Sequence, residues 1–215
     1  MKNYKTIAFD LDGTLTDPES GLTSGFAYAL SKIGIDYGDK KSLKRFIGPP
    51  LKAEFIAVYG MTDEVAEETV RLFREYFSVY GWWDNKLYAG VSKMLETLRG
   101  RGKKIILATS KPEIFAKKIL RLFNIEKYFD FIGGATLDHT RVEKSQVLEY
   151  SLRASSAEKE DSILVGDRKF DAEGAHAVGI DSLGVLYGYG TREEIENCGF
   201  TYIAKTVERV CEILI

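Results

Sequence analysis

The sequence predicts a doubly wound α/β fold, in which a mostly parallel sheet carries a small inserted helical domain. Short apolar runs, typical of strands buried on both faces, alternate with helical patterns that have one apolar face. This alternation stops between about Pro18 and Lys86, where helical stretches occur without a convincing buried strand. With 215 residues, 45% of them hydrophobic, the chain can bury one large core and a smaller insert.

Each predicted element follows from a local pattern. Apolar runs predict strands at residues 6–9, 104–108, 129–132, 162–165 and 182–186. Amphipathic patterns at helical spacing predict three helices between these strands, marked by Val91, Met94, Leu95 and Leu98, by Phe115, Ile119 and Leu122, and by Val147, Leu148, Ser151 and Leu152. Residues 53–59 and 63–80 are predicted to be helical within the insert. The predicted domains are therefore an α/β core of residues 1–17 and 87–215 and a helical insert of residues 18–86.

Composition narrows the function classes. Thirty basic and 32 acidic side chains leave a net charge of −2, which favours neither a nucleic acid polymer nor an anionic membrane surface as a partner. The two cysteines stand outside any CxxC pattern, which favours a reducing compartment. No apolar run reaches the length of a signal peptide or a membrane span, so we expect a cytoplasmic protein. His139 and His176 lack partners at ligand spacing and are expected to be structural or exposed.

The stretch KTIAFDLDGTLTD places Asp10 and Asp12 at the end of the first predicted strand. In a doubly wound sheet the functional crevice lies at the carboxyl ends of the strands. A carboxylate at this position can serve as a nucleophile, a metal ligand or a helix cap. Gly13 permits a tight turn directly after the two acids, and a turn with an Asp cap is the simplest interpretation of this stretch alone.

The second predicted strand runs into the stretch LATSKPE, which places Ser110 at its carboxyl end. With Glu113 it forms an S-x-x-E pattern, which predicts a capping box at the start of a helix, and Pro112 is tolerated in the first turn. A hydroxyl and free amides at a helix N-terminus also bind anions, so capping and phosphate binding are compatible.

The fourth strand run ends in the stretch SILVGDRKFDAEGA, where Asp167 closes the run and Asp171 begins the next helix. Considered alone, Asp171 is explained by a helix cap. A third acid at the edge that carries Asp10 and Asp12 would repel them unless a cation were bound. Lys144 supplies a positive charge at the start of another predicted helix, although a lysine considered alone is usually solvated.

The chain resembles the haloacid dehalogenase superfamily of phosphohydrolases, whose core is Rossmann-like. The residues that resemble its four motifs are, in order, Asp10 with Asp12, Ser110, Lys144, and Asp167 with Asp171. The resemblance covers nearly the whole chain. The insert resembles the helical cap of the phosphoglycolate phosphatase-like branch, and the segment RFIGPPL, which begins at Arg45, is similar to part of that cap. Dehalogenases proper and phosphonoacetaldehyde hydrolases lack an acid at the place of Asp12, so the resemblance implies cleavage of phosphate esters.

The resemblance also implies a role for each residue. Asp10 would be the nucleophile and Asp12 the general acid and base, with Mg²⁺ held by Asp10, by the backbone carbonyl of Asp12 and by Asp167. The other positions implied are Ser110 and Lys144, which would hold phosphate oxygens, and Asp171, which would orient Lys144 or a metal-bound water.

The expected function is hydrolysis of a small phosphate monoester, such as phosphoglycolate or a nucleoside monophosphate. Three alternatives stay open: a phosphotransferase similar to the sugar phosphomutases, a pyrophosphatase, and a non-catalytic module that binds phosphate. In the predicted cap, Arg45 either contacts substrate or belongs to a solvated basic run, GDKKSLKR.

Overall fold

The computed structural model describes residues 2–138 and 140–215, so the prediction for His139 lies outside the described residues. The chain divides into two compact units. One, the core unit, consists of Met1–Asp17 and Leu87–Ile215, and the other, the inserted unit, of Pro18–Lys86. That the inserted unit acts as a cap stays a prediction. No helix in the described part of the chain is long and apolar enough to cross a membrane.

The core unit contains a six-stranded sheet with strand order β5-β4-β1-β6-β7-β8, in which neighbouring strands are parallel. The predicted α/β fold class is therefore confirmed. Strand β1 lies between β4 and β6, and Phe9 pairs with Leu107 on one side and with Val165 on the other. The strands in chain order are β1 (Thr6–Phe9), β2 (Thr16–Asp17), β3 (Lys86–Leu87), β4 (Lys104–Pro112), β5 (Phe131–Ala135), β6 (Ser162–Gly166), β7 (Asp181–Val185) and β8 (Tyr202–Ala204), with β2 and β3 forming a separate two-stranded sheet.

The sequence pattern missed one strand of this sheet and misplaced the ends of others. Among the described strands β8 pairs only with β7, and its apolar run, Tyr202–Ala204, is three residues long, which is too short to predict a strand. Strand β4 continues to Pro112, beyond the predicted end at residue 108. Strand β5 begins at Phe131, because the chain just before it forms a short 3₁₀ turn over Glu126–Tyr128.

Helices occupy most of the rest of the chain. The described α-helices are α1 (Glu19–Lys32), α2 (Leu51–Tyr59), α3 (Asp63–Tyr76), α4 (Val91–Gly100), α5 (Glu113–Leu122), α6 (Lys144–Ala154), α7 (Lys169–Val178), α8 (Arg192–Asn197) and α9 (Val207–Leu214). The inserted unit is helical and is built around Phe26, whose ring stacks on Phe73 with centroids 4.9 Å apart. The predicted helical stretch over 63–80 is confirmed: α3 ends at Tyr76, and the helix continues as a π-helical turn over Phe77–Gly81.

Candidate active site

The first candidate residue, Asp10, directly follows β1 and is buried. Its N–H donates to the carbonyl of Val165 at 2.9 Å, so the end of β1 is tied to β6. Gly13 lies in the turn just beyond, with φ at +82°. A Cβ at this position would stand 2.0 Å from Asp167 Oδ2, so both the backbone conformation and the close approach require glycine.

Three carboxylates converge at this edge of the core unit. Asp10, Asp167 and Asp171 are buried, and each offers an oxygen within 4.8 Å of the others. Asp167 follows β6 directly, and Asp171 is the third residue of α7. Asp171 Oδ2 accepts hydrogen bonds from the N–H groups of Asp167 and Arg168, each at 3.1 Å. Asp171 therefore caps its helix and also belongs to the acidic cluster.

Lys144 supplies the positive charge of the cluster. It is the first residue of α6, and its side chain is only 6% exposed, so it is not a solvated surface lysine. Its ammonium lies 2.8 Å from Asp10 Oδ1 and 2.8 Å from Asp171 Oδ1, and it donates to the carbonyl of Ala108 at 3.2 Å. One lysine thus joins the end of β1 and the middle of β4 to the start of α7.

Burial dominates the electrostatics of this cluster. It raises the pKa of Asp167 well above its ordinary value, and the charges of Asp171 and Asp10 raise it further. Burial also raises the pKa of Asp171, against the opposing effect of Lys144. For Lys144, burial lowers the pKa, but the carboxylates of Asp10 and Asp171 outweigh it and the net shift is upward. The site favours a second cation that would keep its carboxylates ionised.

An unsatisfied oxygen supports a metal at this position. Asp167 Oδ2 accepts a hydrogen bond from the N–H of Tyr189 at 2.7 Å, whereas Asp167 Oδ1 is buried and accepts none from the described residues. A buried carboxylate oxygen without a donor is costly unless a cation or a proton satisfies it. Carboxylate oxygens are ligands that Mg²⁺ prefers, so the donor set fits the predicted ion.

Asp12 is not one of the three carboxylates of the acidic cluster. Its Oδ2 is 2.6 Å from the ammonium of Lys111, whose side chain is 4% exposed. Burial raises the pKa of Asp12, and the charge of Lys111 partly offsets that shift. The side-chain cluster able to hold a metal contains Asp171 rather than Asp12, so a contribution of Asp12 through its backbone carbonyl stays a prediction.

Ser110 does not begin a helix, so the predicted capping box with Glu113 is wrong. Strand β4 continues through Ser110, and α5 begins at Glu113 after Pro112, with no side-chain cap. Glu113 instead pairs with Lys117 at 2.5 Å and with Arg141 at 3.3 Å. Ser110 is exposed, whereas the acids and Lys144 are buried, and the contacts that join them do not include it. Its role as a phosphate ligand stays a prediction.

Sequence reasoning missed two features of the site. The first is Lys111, and its position directly after Ser110 is the signal in the sequence that could have found it. The second feature is the loop after β7, which contains the stretch YGYG: Tyr187 donates to the carbonyl of Thr14 at 3.1 Å, and Tyr189 hydrogen-bonds Asp17 through its hydroxyl. A Cβ on Gly188 would stand 2.4 Å from the Cβ of Asp167, so this loop needs glycine to pass so close.

Arg45 belongs to the inserted unit, where it lies in a 3₁₀ helix over Lys40–Phe46. Its side chain is exposed, and the neighbouring Lys44 pairs with Glu19 at 2.7 Å. These observations do not assign Arg45 to the acidic cluster, so its contact with substrate stays a prediction.

The chain belongs to the haloacid dehalogenase-like hydrolase family, whose profile matches residues 7–185. It is 41% identical to a 5'-nucleotidase of Pseudomonas aeruginosa, over 89% of this chain and 87% of that protein. It is 38% identical to the tyrosine-protein kinase PtkA of Mycobacterium tuberculosis, over 97% of this chain and 72% of that protein. It is 30% identical to a phosphoglycolate phosphatase of Aquifex aeolicus, over 86% of each chain.

A solved structure extends the likeness to the whole fold. The crystal structure of a predicted phosphatase from Clostridium acetobutylicum is 38% identical and superposes with a TM-score of 0.95, over 99% of each chain. The predicted family and the enzyme class, a phosphoric monoester hydrolase, are therefore confirmed.

Proposed function

We propose that this protein is a magnesium-dependent phosphatase that hydrolyses a small phosphate monoester through a phosphorylated Asp10. The single observation that carries the proposal is the buried cluster in which Lys144 pairs with Asp10 and Asp171 beside Asp167. A nucleophilic carboxylate, a fixed cation and an unsatisfied carboxylate oxygen at one sheet edge are the groups that phosphoryl transfer to an aspartate needs.

The residues divide the reaction into two steps. Lys144 holds Asp10 Oδ1, which restricts the rotation of the carboxylate that attacks phosphorus. As the bond from phosphorus to the leaving oxygen breaks, Asp12 gives that oxygen a proton, and it later takes a proton from the water that attacks the acyl phosphate. Lys144, together with Ser110, stabilises the charge on the other phosphate oxygens.

A bound Mg²⁺ would supply charge neutralisation at this site. When bound, Mg²⁺ withdraws electron density from a phosphate oxygen, and Asp10 and Asp167 are the carboxylates that would hold it, with the Asp12 carbonyl as a further ligand. Asp171 would act indirectly, because its oxygens are engaged by Lys144 and by two backbone N–H groups.

The relatives support a small phosphate ester as substrate. One relative is named as a 5'-nucleotidase and another as a phosphoglycolate phosphatase. The candidate substrates to be assayed are therefore nucleoside monophosphates and phosphorylated small acids. The test is release of inorganic phosphate from such a panel by the purified chain. Sustained turnover of one monoester supports the proposal.

The same panel separates the alternatives. A phosphomutase-type enzyme would move phosphate between sugar positions without releasing it, and a pyrophosphatase would prefer pyrophosphate to every monoester. A relative named as a tyrosine kinase makes ATP with a tyrosine-containing peptide a necessary member of the panel. The absence of turnover with every compound would leave a module that only binds phosphate, and would contradict the proposal.

Replacement of Asp12 by Asn is expected to depend on the leaving group. Phenyl phosphate needs a proton on its leaving oxygen, whereas p-nitrophenyl phosphate releases a stable phenolate. General acids contribute roughly 10²- to 10⁴-fold, so kcat/KM for phenyl phosphate should fall by about 100-fold or more. The loss for p-nitrophenyl phosphate should be at least about tenfold smaller. Equal losses on the two esters would remove Asp12 from the role of acid.

Replacement of Arg45 by Ala tests the predicted cap contact. If the natural substrate carries a second anionic group, loss of a charge-assisted hydrogen bond should lower kcat/KM for the best anionic substrate by about 10-fold or more. For p-nitrophenyl phosphate the loss should stay below about threefold. Lys41→Ala, in the same 3₁₀ helix and also exposed, is the matched control. Parallel losses on both esters would mean that Arg45 supports the fold or the chemistry, and no loss on either would mean that this basic run is a solvated face.

A further inference from the structure

The two oxygens of the Asp12 carboxylate have different surroundings. Oδ2 lies 2.6 Å from the ammonium of Lys111. Oδ1 is buried and accepts no hydrogen bond from any residue that the structure describes. An ion pair that served only the fold would gain more from satisfying both oxygens, because a buried carboxylate oxygen without a donor is costly. The free Oδ1 therefore indicates a carboxylate that keeps one oxygen for another group.

Lys111 comes from an irregular end of β4. The paired register of β4 and β5 shifts between Thr109 and Pro112, and Lys111 lies within this break. Its N–H donates to Thr109 Oγ1 at 3.2 Å, which ties the local backbone down. Its side chain is 4% exposed. Holding a buried ammonium requires a strong partner, and the carboxylate of Asp12 supplies one.

The two buried lysines of the site serve different acids. Lys144 lies against Asp10 and Asp171, and Lys111 lies against Asp12. The first pairing concerns the nucleophile, and the second concerns the residue proposed to give and take the proton. Loss of either lysine should therefore affect a different part of the reaction.

We infer that Lys111 is a positioning residue, which holds Asp12 by Oδ2 so that Oδ1 is the oxygen that exchanges a proton with the leaving group. The inference rests on the proposed function. In the first step the proton moves from Asp12 Oδ1 to the leaving oxygen, and the electron pair of the broken P–O bond stays on that oxygen. Asp12 is left as a carboxylate beside Lys111, which keeps all its protons. A fixed carboxylate loses less orientational freedom in this transfer.

The test compares leaving groups in Lys111 variants. The value of kcat/KM is measured for phenyl phosphate and p-nitrophenyl phosphate, because it reports the steps up to departure of the leaving group. Lys111→Met, which keeps the apolar stem, should lower the value for phenyl phosphate by about 10-fold or more and for p-nitrophenyl phosphate by less than about threefold. Lys111→Arg, which keeps the charge, should recover phenyl phosphate turnover to within about threefold of the wild type.

A double-mutant cycle and a matched control sharpen the test. In a protein that already carries Asp12→Asn, adding Lys111→Met should cost less than about twofold, since the two residues act as one unit. Lys103→Met is the control: Lys103 is also a buried lysine, but it binds Asn3 and the carbonyl of Tyr4, so both esters should be unaffected. Thermal melts identify variants that fail to fold. If Lys111→Met fails to fold, Lys111→Gln is used in its place.

Three results would overturn the inference: equal losses on the two esters, additive losses in the cycle, or no recovery with Lys111→Arg. Failure of the proposed function is distinguishable from these. It would appear as absent turnover in the wild type, or as turnover that survives Asp10→Asn, before any Lys111 variant is compared.

Discussion

Replacement of Asp10 by Asn is expected to abolish turnover of every phosphate ester while leaving the protein folded. The amide has nearly the shape of the carboxylate, but it does not attack phosphorus and offers no anionic ligand to Mg²⁺. Lys144 retains Asp171 as a partner at 2.8 Å, so its buried charge stays compensated. The measurement is phosphate release together with a thermal melt. Acid-quenched wild-type enzyme should in addition carry covalently bound phosphate that the variant lacks.

A matched substitution controls for the change of charge. Asp161→Asn removes a carboxylate of the same core unit that pairs with the exposed Lys5, and it should keep wild-type turnover. A folded Asp10→Asn protein that still released phosphate would refute the covalent mechanism.

Removal of divalent cations is the second change with a large expected effect. EDTA should abolish turnover and added Mg²⁺ should restore it, because the buried acids need a cation to stay ionised together. A second readout does not depend on activity. At 100 times its Kd, a ligand that binds only the folded state stabilises it by about 2.7 kcal/mol, so Mg²⁺ should raise the melting temperature of the wild type.

Asp167→Asn is the matched variant for the melt. It removes the carboxylate whose Oδ1 accepts no hydrogen bond from the described residues, so its melting temperature should respond little to Mg²⁺. Full turnover in EDTA would contradict metal assistance. An equal thermal response of the variant and the wild type would place the ion elsewhere.

The sequence by itself determined the fold class, the family and the positions of most of the acidic cluster. Asp10 and Asp167 each follow a short apolar run, and Lys144 begins an amphipathic pattern, so a local stretch was enough to place them at element ends. Parallel strands bring their carboxyl ends to one edge of the sheet. The convergence of Asp10, Asp167 and Lys144 follows from these two facts.

Local patterns failed where the chain departs from regular structure or where a strand has one neighbour. The S-x-x-E pattern at Ser110 predicts a helix start, but pairing with β5 keeps β4 extended to Pro112. Strand β8 lies at the sheet edge and is half-exposed, and its apolar run of three residues is too short to be recognised as a strand.

Only the tertiary structure decided which charges meet. The sequence places Lys111 next to Ser110, but its burial against Asp12 depends on the break in register at the end of β4. The loop that includes Gly188 and Tyr189 is more than 20 residues from Asp167 along the chain, yet it approaches that side chain and donates to Oδ2. Such contacts arise because the sheet stacks distant strand ends side by side, and no periodicity along a single stretch records that arrangement.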